Sequence, residues 1–295
     1  MTRGSPEFQI AADLRCTVGE GPVWHPGEGR LYWTDILSSQ IYWYEPATGE
    51  SRLCYQGRMV GGMTLQADGS LLFFMDRCTV AVWRDGRVAG TLLEDIPAEA
   101  DGRFNDVIAD PEGRVFAGAM PFKDLERKRG RLYRLDRDGS YEVVLEGVGI
   151  PNGMAFTSDR RSFYFIDSLD NVVWKFDYDP RTGAIGRRRA FLRFDPKRDG
   201  HADGMTLDRE DNLWIAMAMG GRVLQFGADG SRKRTIELPA KFTASVAFGG
   251  EELTDLYVTT GNHPEDEDLG PAAGALIVLK PGPTGVPEFR SRIGI

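Results

Sequence analysis

Short apolar runs and clusters of Asp, Gly and Pro take turns along this chain, and one grouping of them recurs. An apolar strand is followed by an Asp/Gly turn, a second apolar strand, a polar gap and a third strand. The second strands read Leu31–Asp35, Leu71–Met75, Val115–Ala119, Phe163–Asp167, Leu213–Met217 and Leu256–Thr260, with starts 40, 44, 48, 50 and 43 residues apart. A period near 45 is that of propeller blades. The turns before these strands, such as Pro26–Gly29, Ala67–Ser70 and Asp110–Gly113, carry the residues that supply positive φ in tight hairpins. Fourth strands such as Tyr141–Leu145 complete each unit as a four-stranded antiparallel sheet. No segment holds a 3.6-residue apolar period for long, so helix should be scarce. The expected fold is all-β, a six-bladed β-propeller, because a β-sandwich would not by itself repeat every 45 residues. Phe8–Leu14 reads as a lone strand placed to close the ring in the last blade.

Composition adds to this picture. Glycine numbers 36 of 295 residues, well above the usual ~7%, as six copies of hairpin punctuation require. Residues 1–8, containing Gly4-Ser5-Pro6-Glu7-Phe8, read as a vector-derived or disordered leader, and 9–295 as one domain. A net charge of −8 argues against nucleic acid or an anionic membrane surface as partner. No apolar run reaches the roughly 18 residues of a membrane helix. Three cysteines without metal-type spacing and the lack of an export signal suit a cytoplasmic protein.

In a propeller, the channel-mouth ends of the first strands converge on the axis. Alignment of the units places Glu20, Gly61, Asn105, Asn152, Asp203 and Ser245 at that position. The flanking residues barely change, as in Gly61-Gly-Met-Thr-Leu65 and Asp203-Gly-Met-Thr-Leu207, whereas the polar residue does. Asn-Gly and Asp-Gly are ordinary turn dipeptides, which is the structural alternative, but Glu20 is a poor turn former in the same phase. Two carboxylates and two carboxamides on one axis repel one another or stay unsatisfied unless a cation lies between them. All-oxygen ligation points to Ca²⁺, Mg²⁺ or Mn²⁺, with Zn²⁺ and Fe²⁺ left open, and so few protein ligands leave positions for water or substrate.

Arg103 lies two residues before Asn105, on the same strand face, and reads either as a substrate contact or as a rim ion pair. The mixed-charge run Lys123–Arg131 is a solvated loop or a lid over the mouth, and His201, two residues before Asp203, could line the pocket wall. His25 and His263 read as surface or structural residues. Arg187–Arg189 and Arg232–Arg234 read as solvated blade edges that discourage edge pairing.

Taken in order, several motifs resemble the senescence marker protein/regucalcin, gluconolactonase and luciferin-regenerating enzyme family of six-bladed propellers. They are Gly19-Glu-Gly-Pro22, Arg103-Phe-Asn-Asp106, Asp110-Pro-x-Gly-Arg114, Ala117-Gly-x-Met120, Pro151-Asn-Gly-Met-Ala155, Asp203-Gly-Met205, Leu213-Trp-Ile-Ala216, Gly220-Gly-Arg-Val223 and Phe248-Gly-Gly250. The resemblance covers nearly the whole chain. It implies that Glu20, Asn152 and Asp203 bind one divalent metal, with Asn105 beside them and Arg103 on the substrate. It also implies hydrolysis of aldonolactones, cyclic esters of oxidised sugars. On chemical grounds Asp203 is the expected general base, with Arg103 and Asn105 orienting sugar hydroxyls or holding the developing oxyanion. The segments Pro121-Phe-Lys-Asp124 and His201-Ala202 depart from the family pattern and bear on substrate identity.

Three function classes follow: a metal-dependent sugar lactonase, a calcium-binding or interaction propeller without turnover, and a propeller hydrolase acting on organophosphates or other esters. The partner expected is a small sugar lactone, with the chain a monomer or weak homo-oligomer.

Overall fold

The computed structural model describes residues 7–295 and arranges them as six four-stranded antiparallel sheets in a ring. The inner strands, in blade order, are Gly19–His25, Val60–Leu65, Gly102–Ala109, Pro151–Phe156, His201–Leu207 and Thr243–Gly249. Among the described residues, helix amounts to one turn at Pro196–Asp199 and two short 3₁₀ segments. The six-bladed expectation holds, and so does the closure: Phe8–Asp13 pairs with Ala275–Leu279 as the outermost strand of the sixth blade. That strand begins at Phe8, which pairs with Leu279, one residue ahead of the boundary expected at 9. Residues 1–6 of the expected leader lie outside the described residues.

Burial follows strand position. Leu71–Met75 and Leu213–Ala218, second strands sandwiched between neighbouring blades, are buried at every residue, so their sequences are continuous apolar runs instead of alternating ones. Blades three and four are joined by Phe116, Phe156 and Phe163, with Phe156 4.8 Å from Phe163 and Phe116 5.1 Å from Phe163. Each such ring contributes roughly 1.5–3 kcal/mol of apolar burial. The outer strand Ala184–Arg193 is largely exposed and carries the basic run expected at a blade edge, where the Arg188 guanidinium lies 3.7 Å over the Trp174 ring.

Every inner strand carries a register shift near its upper end, where it pairs with the second strand. The shifts fall between Glu20 and Val23, Val60 and Gly62, Phe104 and Val107, Asn152 and Met154, Ala202 and Met205, and Thr243 and Ser245. A bulge bends a strand and re-aims a side chain. Repeated six times at one height, it turns one residue per blade toward the axis.

The chain beyond Leu279 forms no strand of a blade. It crosses the lower face, where Arg209 N–H donates to Thr284 O at 2.9 Å, Ser291 N–H to Leu65 O at 2.9 Å and Gly294 N–H to Arg137 O at 2.8 Å. Ile293, 1% exposed, anchors it in the core between blades two and three.

Candidate active site

The inner strands begin at the upper mouth, and Glu20, Asn105, Asn152 and Asp203 stand within the first four residues of theirs. The structure brings all four together, each 5–7% exposed, at the base of a cavity of about 390 Å³ that Arg103 also lines. Blade two offers no side chain here. A Cβ on Gly61 would lie 2.0 Å from Phe104 O and 3.2 Å from Arg103 Nη1. The glycine therefore lets the neighbouring inner strand approach and leaves room for the guanidinium.

A directional chain of hydrogen bonds fixes the amides. Arg103 Nη1 donates to Phe104 O at 2.9 Å and to Asn105 Oδ1 at 2.5 Å. Asn105 Nδ2 donates to Pro151 O at 2.8 Å and to Asn152 Oδ1 at 2.5 Å. Asn152 Nδ2 donates to Ser168 Oγ at 2.8 Å, and that hydroxyl donates to Ala202 O. Each amide's orientation is set by partners on both sides, so Asn152 turns its oxygen, with one further lone pair, to the centre.

The carboxylates lack such compensation. Burial, then Asp203 and Asp106, pushes the Glu20 carboxyl well above its ordinary range, with the Gly21 N–H at 2.9 Å acting against the rise. Burial and Asp106 likewise raise Asp203, and burial raises Asp106 to about 7. Burial lowers Arg103 to about 10 while the three carboxylates oppose that fall, so it remains a cation at neutral pH. When all three are ionised, the carboxylates around one guanidinium leave two negative charges without a counterion, which is why burial and mutual repulsion favour their protonated forms in the absence of a cation. A divalent cation matches that excess, and two carboxylates with an amide oxygen are donors suited to a hard ion. Among the described residues, no three His, Cys, Asp or Glu side chains are grouped to hold a metal, so any site here depends on the amide oxygen.

His201 stands exposed on the cavity wall. Lys123 lies exposed on the loop after Val115–Pro121 and is not among the residues lining the cavity. From that loop it is Lys128 that reaches across to blade four, where it pairs with Asp170. His25, read as surface or structural, is buried at the end of its inner strand, and its Nε2 lies 2.9 Å from Gly69 O of blade two, a structural link.

Sequence reasoning missed several supports. Asp35 ends its second strand and accepts the N–H groups of Thr17 and Val18, both at 2.9 Å, just ahead of Glu20. Asp167, in the same phase of blade four, accepts from Gly149 at 2.9 Å, Ile150 at 3.1 Å and Leu169 at 3.2 Å, just ahead of Asn152. The shared terminal Asp of those two strands was the available signal. Asp106 faces the lower channel, where it and Glu288 of the C-terminal segment line a space of about 50 Å³. Protein mass and Asp106 raise the Glu288 carboxyl, although solvent still reaches it.

Residues 18–262 match the model of the SMP-30/Gluconolactonase/LRE-like region, and the chain belongs to this family of propellers. It is 46% identical to the pentonolactonase of Haloferax volcanii over 289 residues, covering 95% of this chain and 97% of that one. Luciferin-regenerating enzyme superposes with a TM-score of 0.89 at 28% identity, covering 98% of this chain and 100% of the other. A calcium-binding regucalcin of Agrobacterium tumefaciens gives the same TM-score, 0.89, at 25% identity, covering 98% of each chain.

Proposed function

We propose that this protein hydrolyses sugar lactones to aldonic acids with the help of one divalent metal ion. The observation that carries the reading is the convergence of Glu20, Asn152 and Asp203, with Arg103 and Asn105 alongside, at the base of an open cavity. The similarity to a pentonolactonase over nearly the full length supports a five-carbon aldonolactone as the substrate. Glu20, Asn152 and Asp203 would hold the ion, which when bound supplies a Lewis acid for the lactone carbonyl.

The remaining work falls to the chain's own groups. Asp203, which lines the cavity, takes the proton from the attacking water. The water oxygen bonds to the carbonyl carbon, the acyl–oxygen ring bond breaks, and the ring oxygen leaves as a hydroxyl. One water is consumed, and a carboxylate and one proton result. Arg103, held by its bonds to Phe104 O and Asn105, offers its remaining N–H groups to the sugar hydroxyls or the developing oxyanion.

The test is a pH-indicator assay on five- and six-membered aldonolactones after chelation and readdition of Ca²⁺, Zn²⁺, Mn²⁺, Mg²⁺ or Fe²⁺. Proton release suppressed by chelator, restored by metal and lost in a folded Asp203→Ala variant is the expected result. Full activity in that variant would refute the mechanism. Tight Ca²⁺ binding with no lactone turned over would favour a calcium-binding propeller, a reading suggested by the Agrobacterium regucalcin.

A further inference from the structure

A second cavity, of about 150 Å³, lies beside the start of blade three's inner strand. It is held between the connection that carries blade two into blade three, 94–101, and the loop joining the second and third strands of blade three, 122–129. Glu99, Asp101, Gly102, Arg129 and Arg131 line it, and none of these lines the catalytic cavity.

Its charged groups are only partly used. Glu99 is 5% exposed, and its Oε1 alone accepts both Arg131 Nη1 at 2.6 Å and the Tyr133 hydroxyl at 2.7 Å. Among the described residues Oε2 accepts nothing, yet it is not sealed from solvent. Arg127, Lys128 and Arg131 each pair with an acid, whereas Arg129, in the same run, pairs with none among the described residues. The exposed Asp101 carboxylate likewise has no cationic partner among them.

These groups set the chemistry of an occupant. A guanidinium calls for an oxyanion, and carboxylate oxygens, which only accept, call for hydroxyl donors. A neutral sugar leaves Arg129 unanswered, and a phosphate meets two carboxylates with nothing to donate. A carboxylic acid with hydroxyls on the adjoining carbons answers both. Size agrees: a cavity of about 150 Å³ takes a molecule of roughly six heavy atoms, about a carboxylate and the first hydroxyl-bearing carbons of a chain.

We propose that this cavity is a second binding site, one that takes the carboxylate end of a polyhydroxy acid. The carboxylate lies on Arg129 and Arg131, and the neighbouring hydroxyls donate to Glu99 and Asp101. Aldonic acids are that class. Calling the ligand the enzyme's product rests on the lactonase reading above, whereas the site itself does not. Gly102 lines the cavity and directly precedes Arg103, so the bound acid rests against the strand start that carries a guanidinium of the catalytic cavity.

Isothermal titration of the full chain, metal-loaded and again after chelation, compares a five-carbon aldonate, the matching pentitol and pentanoate. The aldonate should bind in both states, and the pentitol and pentanoate, each lacking half of the recognition, at least about tenfold more weakly. Arg129→Gln should weaken the aldonate about ten- to hundredfold and leave initial rates of lactone turnover within about twofold of the parent. Asp101→Ala should weaken the aldonate and not pentanoate. Aldonate binding that is absent, or that vanishes with the metal and ignores Arg129→Gln, overturns the site. Pentitol or pentanoate bound as tightly as the aldonate overturns the ligand class. An Arg129-dependent aldonate site in a protein that turns over no lactone supports this inference and overturns the lactonase reading alone.

Discussion

Replacement of Asp167 by Ala tests whether the acid at the end of a second strand holds a site-bearing inner strand in place. The Asp167 side chain, 1% exposed, accepts three backbone N–H groups, from Gly149, Ile150 and Leu169. A hydrogen bond to a charged group is worth roughly 1.5–3 kcal/mol. Gly149 is buried and loses that in full, whereas Ile150 and Leu169 reach solvent, where water replaces part of the loss. The expected cost is about 3–5 kcal/mol. Asp35 accepts only two such groups, from the half-buried Thr17 and Val18, so Asp35→Ala should cost less, about 2–3 kcal/mol. At ~2–4 °C per kcal/mol for a domain near this size, thermal unfolding of metal-free protein should fall by about 6–20 °C for Asp167→Ala and about 4–12 °C for Asp35→Ala. Differential scanning calorimetry reads both, and isothermal titration with a divalent ion reads the weakened site. A Tm loss under about 2 °C for Asp167→Ala, or a larger loss for Asp35→Ala, would show that these acids do not anchor the strand starts.

Two further outcomes follow from the site. Asp106 rises from 3.8 to about 7 because it is buried, so the folded metal-free protein binds its proton more tightly than the unfolded chain does. Its contribution to stability is therefore whole below about pH 4 and is lost as pH climbs toward 7. Urea midpoints across that window should fall less steeply in Asp106→Asn than in the parent, and an identical slope would refute this assignment. Gly61→Ala places a methyl 2.0 Å from Phe104 O, backbone that cannot swing aside. Circular dichroism should show a protein several degrees less stable, and lactone kcat/KM should drop at least tenfold as Arg103 and Asn105 move; parent-like turnover would sink the close-packing argument.

The ring and its site-bearing positions were legible because they are periodic. Each second strand is apolar on both faces, and the polar residue of each inner strand keeps one phase, so Glu20, Asn105, Asn152 and Asp203 could be located before any coordinate was known. The supports were harder to read because they break the period or belong to no blade. Ser168, which links Asn152 to Ala202, sits just past its second strand where the other blades place Ile36, Asp76 or Met120, so it has no counterpart to align with. Asp106 follows Asn105 directly, and strand alternation alone assigns it to the opposite face. The bulge between Phe104 and Val107 is what returns it to the channel. Glu288 lies outside every repeat, 182 positions from Asp106, so only the folded path of the tail brings the two into one space.

That tail is also a cross-brace. Its backbone bonds to Arg209 of blade five, Leu65 of blade two and Arg137 of blade three strap the lower face. Blades five and two share no seam in the ring, so the tail couples sheets that the blade-to-blade packing leaves independent, and the ring is held shut at a second place besides its closing strand.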